Sequence, residues 1–347
     1  MEPYYYEHMT KTEQAVYRAM KNGMMSLESE FSVPSADGRL LSDVFFRLRL
    51  DCPELFWASG FRFRYYPGNE GAQVLPEYLF EKAKVREQQK AMEARIAKLV
   101  RPAQGLGEWE KERYIHDFIC TSVRYDKLKK AYSHEIIGPL GQGVGVCEGI
   151  AKTVKLLCDR LGIWCMIAVS DANPEKKIKY RHAWNIIRLG GQTYHLDATF
   201  DNSLGAEGEI RYDYFNLDDG RLFRDHEPVL YPASACGDGN HFYYREKKLS
   251  FTKTEEVAKR AAQAAKKGRV LTFHWRGSVL TRQVLEELLG LLENAAREKG
   301  RYAAVRLNWP QAVLSVSFPE NPAGAGCQVQ EANEGEQEGK QNFDGWC

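Results

Sequence analysis

The 347-residue sequence has no apolar run approaching membrane-spanning length, which argues against a helical span and against a membrane as partner. Its start, "MEPYYYEHMTKTEQ", lacks the basic residues and apolar segment of a secretion signal, so a cytoplasmic location is expected. Charge of one sign is missing too. Lys+Arg number 48 and Asp+Glu 47, and the resulting +1 supplies no field that would point to nucleic acid. The eight cysteines (52, 120, 147, 158, 165, 236, 327 and 347) show no CxxC or other zinc-ligand spacing, and no acidic calcium loop is present. No metal and no cofactor are therefore expected, and the cysteines read as reduced thiols. No internal repeat is visible.

What is present has the composition of an ordinary globular protein, long enough for two or three domains. Residues 1–104 read as a mixed α/β region. Helices are expected at "TKTEQAVYRAMKNGM" and "LLSDVFFRLRLD", a β-rich patch at "LFWASGFRFRYYPG", and a long charged helix at "PEYLFEKAKVREQQKAMEARIAKLV". Pro102 and the glycines of "RPAQGLGEW" mark a break. A further helix, "EWEKERYIHDFICTSVRY", then opens a central domain over 105–252. Residues 253–320 alternate helix 254–267, strand "RVLTFHW", helix 281–299 and the strands "AVRLNW" and "AVLSVSF", which makes a small α/β appendage. From 321 to 347 the chain is glycine- and glutamate-rich without periodicity. It reads as a disordered tail carrying an exposed Cys347.

Two segments of the central domain carry chemistry. In "GQGVGVCEGIAKTVKLLCDRLGI" apolar residues recur at Ile150, Ala151, Val154, Leu157, Cys158 and Leu161, a helical spacing that ends at Gly162. Cys147 falls in the first turn or at the cap, where unpaired N–H groups and the dipole favour a thiolate; a buried structural cysteine is the plain alternative. The second segment, "HAWNIIRLGGQTYHLDATF", reads as a β-hairpin turning at Gly190-Gly191. Pairing about that turn sets His182 opposite Thr199 and Trp184 opposite Asp197, all on one face. His182 and Asp197 become diagonal neighbours. A carboxylate so placed can orient an imidazole whose other nitrogen meets a thiol. Each residue taken alone has an ordinary structural reading: a strand-start histidine, a turn-forming aspartate.

The blocks "GVCEGIAKTVKLLCDRLGI", "RHAWNIIRL" and "YHLDATFD" resemble the three signature blocks of the transglutaminase-like superfamily, in its bacterial subgroup of cysteine acyl-transfer enzymes and proteases. "YIHDFICTSVRYD" upstream and "YDYFNLDDGRLFRDHEP" downstream resemble the flanks, so the similarity runs from about Glu108 to Phe251. The resemblance implies an α+β, papain-like core, a cysteine-bearing helix packed on an antiparallel sheet, with Cys147, His182 and Asp197 as catalytic triad. Ile150 stands where an aromatic is common. Tyr125 resembles a position near the active site, as an oxyanion donor or cleft residue beside the Cys147 N–H. Gln142 is a looser match to the amide donor of papain-like enzymes, with a solvent-facing loop residue as alternative. Trp184 either walls the cleft or packs in the core. His195 would share that face, with Asp197 the stronger motif match. His116-Asp117, lacking a third ligand, reads as a solvated face or a local hydrogen bond.

The implied reaction is attack of a Cys147 thiolate on an amide or peptide carbonyl, with His182 as acid and then base. Water as acceptor gives proteolysis or deamidation; an amine gives cross-linking. With no calcium loop in the sequence, hydrolysis of a protein or peptide substrate is the first choice. A glutamine-directed acyltransferase is the alternative. A non-catalytic peptide-binding module, or an appendage that docks a partner protein, represents the other class.

Overall fold

The computed structural model describes residues 3–330 except 66, 67, 69, 177, 179, 206, 207, 323 and 324. These residues form two compact units. One holds the chain up to Gly191 together with Val229–Ala233; the other holds Gln192–Pro228 and the chain from Ser234 onward. The structure thus divides the chain at the Gly190–Gly191 turn rather than near 104 and 252.

In the first unit, α1 (Lys11–Met25) starts with a capping box between Thr10 and Glu13, and α2 (Gly38–Asp51) is capped by Asp37. Strands β1 (Phe31–Val33), β2 (Ala58–Tyr65) and β3 (Ala72–Tyr78) form an antiparallel sheet in the order β1-β3-β2. Pro76, Glu77 and Tyr78 belong to β3, so the charged helix α3 starts later than its sequence pattern implied, at Lys82–Val100. Helix α4 (Glu108–Ser122) and the cysteine helix α5 (Cys147–Leu161) follow. Strand β4 (Cys165–Ser170) pairs antiparallel with β5 (His182–Leu189), setting Ser170 opposite His182.

Helix α5 is wrapped: α3, α4, β4 and β5 all pack on it. Thirteen of its fifteen residues are buried, including the charged Glu148, Lys152 and Lys155, so its surroundings reach well beyond the amphipathic stripe visible in sequence. The first hundred residues supply part of that surrounding. The Tyr5 hydroxyl donates to the Ile167 carbonyl at 2.5 Å, and the Asp51 carboxylate accepts the Tyr5 and Tyr6 N–H groups at 3.1 and 2.9 Å. They complete this core rather than standing apart from it. Val229–Ala233 joins the same unit through the Leu230 N–H, which donates to Val169 at 2.8 Å.

In the second unit, β6 (Gln192–Leu196) pairs antiparallel with β7 (Phe215–Leu217), with one irregularity between His195 and Leu196. Helix α6 (Ala198–Leu204) lies between them in sequence. Further on, β8 (Ser250–Phe251), β9 (Leu271–Trp275), β10 (Ala304–Asn308), β11 (Val313–Ser317) and β12 (Gly326–Gln330) form a mixed sheet in the order β8-β9-β11-β10-β12. Helices α7 (Thr254–Lys267) and α8 (Arg282–Arg297) pack on each other, and Val257, Ala261, Leu288, Leu292, Phe273 and Leu314 are buried in one apolar cluster.

Two expectations change here. The boundary at 252 is bridged, because β8 pairs in parallel with β9. The buried Asp213 also accepts from Arg211 at 2.7 Å, Tyr244 at 2.9 Å and Asn308 at 3.0 Å, tying both sides of that position together. The disordered tail expected from 321 yields to a strand at Gly326–Gln330, parallel to β10. That strand exists because β10 offers a free edge, a tertiary cause invisible in a glycine-rich sequence. Residues 331–347, with Cys347, lie outside the described residues. Among the described residues no helix is long and apolar enough to cross a membrane.

Candidate active site

Cys147 is the first residue of α5, after Val146 in extended conformation. Valine has no side-chain acceptor, and no side chain caps this helix start. The first-turn N–H groups therefore point their partial positive charge toward the sulfur's surroundings. The approach is built tightly. Arg124–Tyr125 and Val144–Gly145 form a short parallel pair, with Tyr125 opposite Gly145, two residues before the cysteine. The Val146 N–H donates to Ser133 at 3.1 Å. Gly149 is needed because a Cβ there would run into the Ser133 carbonyl. Gln142 is exposed, in a turn ending at Gly143.

Directly behind Cys147 lies a buried charge network that the sequence did not reveal. The Glu148 carboxylate meets Lys152 Nζ at 2.7 Å, Arg49 Nη2 at 3.3 Å and His134 Nδ1 at 3.2 Å. Glu135 pairs with the same Lys152 at 2.9 Å and with Arg49. Burial alone would raise the Glu148 pKa; the Lys152 and Arg49 charges overcome it and hold the carboxyl well below its usual range. The glutamate of "GVCEG" thus anchors the cysteine turn to α2 and to the loop before the helix. Only the short spacing to Lys152 was readable in sequence.

Six cysteines are free thiols: Cys52, Cys120, Cys158, Cys165, Cys236 and Cys327.

His182 opens β5 and is buried, its ring 5.7 Å from that of Trp184 with the planes 21° apart. Trp184 is itself buried. Strand and helix are stitched together, since Asn185 Nδ2 donates to the Ala151 carbonyl at 3.0 Å.

Asp197 departs from the sequence reading. The expected second hairpin strand ran through Thr199, but β6 stops at Leu196 and Asp197 caps α6. Its Oδ1 accepts the N–H groups of Thr199 at 2.9 Å and Phe200 at 3.0 Å, so Thr199 belongs to a helix and shares no strand face. Aspartate's preference for this role ends the strand. The other oxygen, Oδ2, takes His226 Nε2 at 2.9 Å, and His226 Nδ1 meets Asp225 at 2.9 Å. Burial would lower the His226 pKa, but hydrogen bonds to the two carboxylates raise it above its ordinary value. His226 was missed as a site residue, although it lies in the quoted "RDHEP" segment.

His195 bonds Asp219 through Nε2 at 2.8 Å. The ligand atoms of His195, Asp219 and Cys236 lie within 4.8 Å of one another, a donor set that zinc accepts. Burial pushes the Cys236 thiol up to about 12, and its sulfur is 3.8 Å from the Ser234 carbonyl, so the thiol is neutral, while the His195 hydrogen bond holds the Asp219 carboxyl below its usual range. His116 is buried, 3.4 Å from Asp117 and, through Nε2, 3.5 Å from the Cys120 sulfur.

Residues 93–198 match the family model of the transglutaminase-like superfamily. No curated protein sequence matches the chain. Among solved structures, similarity is found to a TGase at 10% identity, covering 49% of this chain and 50% of that one, with a TM-score of 0.27. A candidate cysteine protease from Cytophaga hutchinsonii is 16% identical over 40% of this chain and 61% of its own, TM-score 0.27. A candidate protease from Parabacteroides distasonis is 12% identical over 40% and 36%, TM-score 0.25. The chain therefore spans about half the length of the first of these relatives, and scores this low carry no argument about overall shape. The similarity is carried by the stretch that ends just after the Asp197 block: residues 93–198 of this chain match the transglutaminase-like superfamily.

Proposed function

We propose that the chain is a cysteine-dependent enzyme acting on peptide or side-chain amide bonds, with Cys147 as nucleophile, His182 as acid and base, and Asp197 as the group that orients His182. The observation that carries this reading is the position of Cys147: the first residue of an uncapped, buried helix start, on a helix bonded to the strand that His182 opens. A thiolate there is favoured by the helix dipole. It would attack the carbonyl carbon, forming a tetrahedral oxyanion near the Cys147 N–H. The carbon–nitrogen bond then breaks as the imidazolium protonates the departing amine. Water, deprotonated by the same imidazole, would release the acid and regenerate the thiol.

Asp197 has room for this role. A carboxylate offers about four lone-pair sites, and its bonds to α6 and His226 leave capacity for one more N–H. The tight turn after β5 is the reason for placing that N–H on His182. Hydrolysis is preferred over transfer to an amine, and protein or peptide is the substrate class.

The test uses the full chain with dithiothreitol, casein and a fluorescent primary amine. Fragments that disappear in Cys147→Ala and His182→Ala support hydrolysis. Incorporation of the amine without fragments replaces it with cross-linking. With iodoacetamide at neutral pH, Cys147 of the reduced protein is expected to alkylate at least tenfold faster than Cys158 or Cys165. Equal rates would overturn the activated thiolate and leave a peptide-binding module.

A further inference from the structure

The second unit contains a cavity of about 900 Å³ between the short helix Tyr243–Glu246, β8 and α7. Five cations line it: Arg245, Lys248, Lys259, Arg260 and Arg276. Only Glu246 and Glu256 oppose them, and Glu246 is already paired with His241 at 2.6 Å. None of the five has an ion-pair partner among the described residues. Around Glu148, by contrast, the buried cations Arg49 and Lys152 are matched by carboxylates.

The wall behind the cavity holds one more cation, Arg221, whose Nε lies 3.8 Å from the Asp218 carboxylate. Arg221 is nine-tenths buried, and its Nη1 has no hydrogen-bond partner. Its Nη2 donates to His274 Nε2 at 3.2 Å. Since that nitrogen accepts, the proton of the neutral imidazole sits on Nδ1 and is donated to Ser250 Oγ at 2.8 Å. The Ser250 hydroxyl hydrogen is then left to point elsewhere, and Ser250 lines the cavity. The neutral ring is secure: burial, then Arg221, Arg245, Arg224 and Arg276, push His274 down to about 2. Burial and the neighbouring guanidinium groups pull Arg221 down to about 10.

We propose that this cavity binds a phosphate-bearing small molecule of nucleotide size. Guanidinium forks, ammonium groups and hydroxyl donors (Ser250 and Thr252) are the groups that phosphate oxygens accept from. An acidic peptide is disfavoured by the lining. Phe251 is the only apolar side chain in it and is only 5% exposed, so the anchoring pockets that peptide recognition uses are missing.

The experiment is calorimetric titration of the reduced full chain, and of Cys147→Ala, with pyrophosphate, ATP, adenosine and hexaglutamate at 150 mM salt. Saturable binding of ATP and pyrophosphate is expected, with equal affinity in Cys147→Ala and without adenosine binding. The exposed pair Lys259→Gln/Arg260→Gln weakens it at least tenfold, and Ser250→Ala weakens it several-fold. The same-helix control Lys266→Gln/Lys267→Gln leaves it unchanged. Absence of saturable phosphate binding, equal loss in the control, or tighter binding of hexaglutamate overturns the proposal. Because the binding is read in a protein lacking Cys147, its failure and the failure of the enzymatic reading are separate results.

Discussion

The Glu148 network and the basic cavity hold similar numbers of charges and treat them oppositely. Around Glu148, two largely buried carboxylates face Arg49, Lys152 and His134, and every charge has an opposite neighbour. Around the cavity, five cations face two acids at the surface of one compact unit. Burying an unpaired charge is too costly to persist without compensation. The first set is therefore compensated internally and serves the fold. The second stays near solvent and is available to a ligand.

The largest expected effect breaks the first region. Glu148→Gln leaves Lys152 and Arg49 buried with one carboxylate fewer. It should cost about 3–5 kcal/mol in urea unfolding. A cost below about 1 kcal/mol would mean that the network is water-penetrated and that the contrast fails. The carboxylate's depressed pKa means that its contribution is present above its ordinary value near 4.5 and is lost as pH falls below it. The difference between wild type and variant should therefore shrink in acid.

His226→Gln is intermediate, at about 1.5–3 kcal/mol, because it removes charged hydrogen bonds to Asp197 and Asp225. Here the sign is reversed. A histidine whose pKa is raised on folding contributes fully below its ordinary 6.5, and the contribution fades as pH rises through the higher folded value. Unfolding at pH 6 and pH 9 should show the larger difference at pH 6; a larger difference at pH 9 would remove the charged ring from the account.

The smallest effect belongs to the cavity. Lys259→Gln/Arg260→Gln should change stability without ligand by no more than about 0.5 kcal/mol, and in the stabilising direction, since it relieves like-charge repulsion. A loss above about 1 kcal/mol would show that these cations are structural and that the two regions do not differ in kind.

Much of this was legible locally. The period from Ile150 to Leu161 and the stop at Gly162 give α5 to within a residue, and Gly162 has the left-handed φ of 76° that such a stop requires. Gly190 and Gly191 both have positive φ, 55° and 85°, as a two-residue hairpin turn demands. The end of β6 was not legible. Asp197 fits a strand pattern and a helix cap equally well, and the choice was made by the Thr199 and Phe200 N–H groups and by His226, 29 residues away. The partners of Glu148 were equally hidden, since Arg49 lies 99 residues earlier.

The sequence by itself determined the helices, the tight turn and the three motif blocks, because these follow from backbone preferences and spacing within about twenty residues. Tertiary structure alone decided which charges are matched, where the compact units divide, and that Gly326–Gln330 becomes a strand. Ion pairing and edge-strand pairing depend on distance in space, and distance along the chain says almost nothing about it.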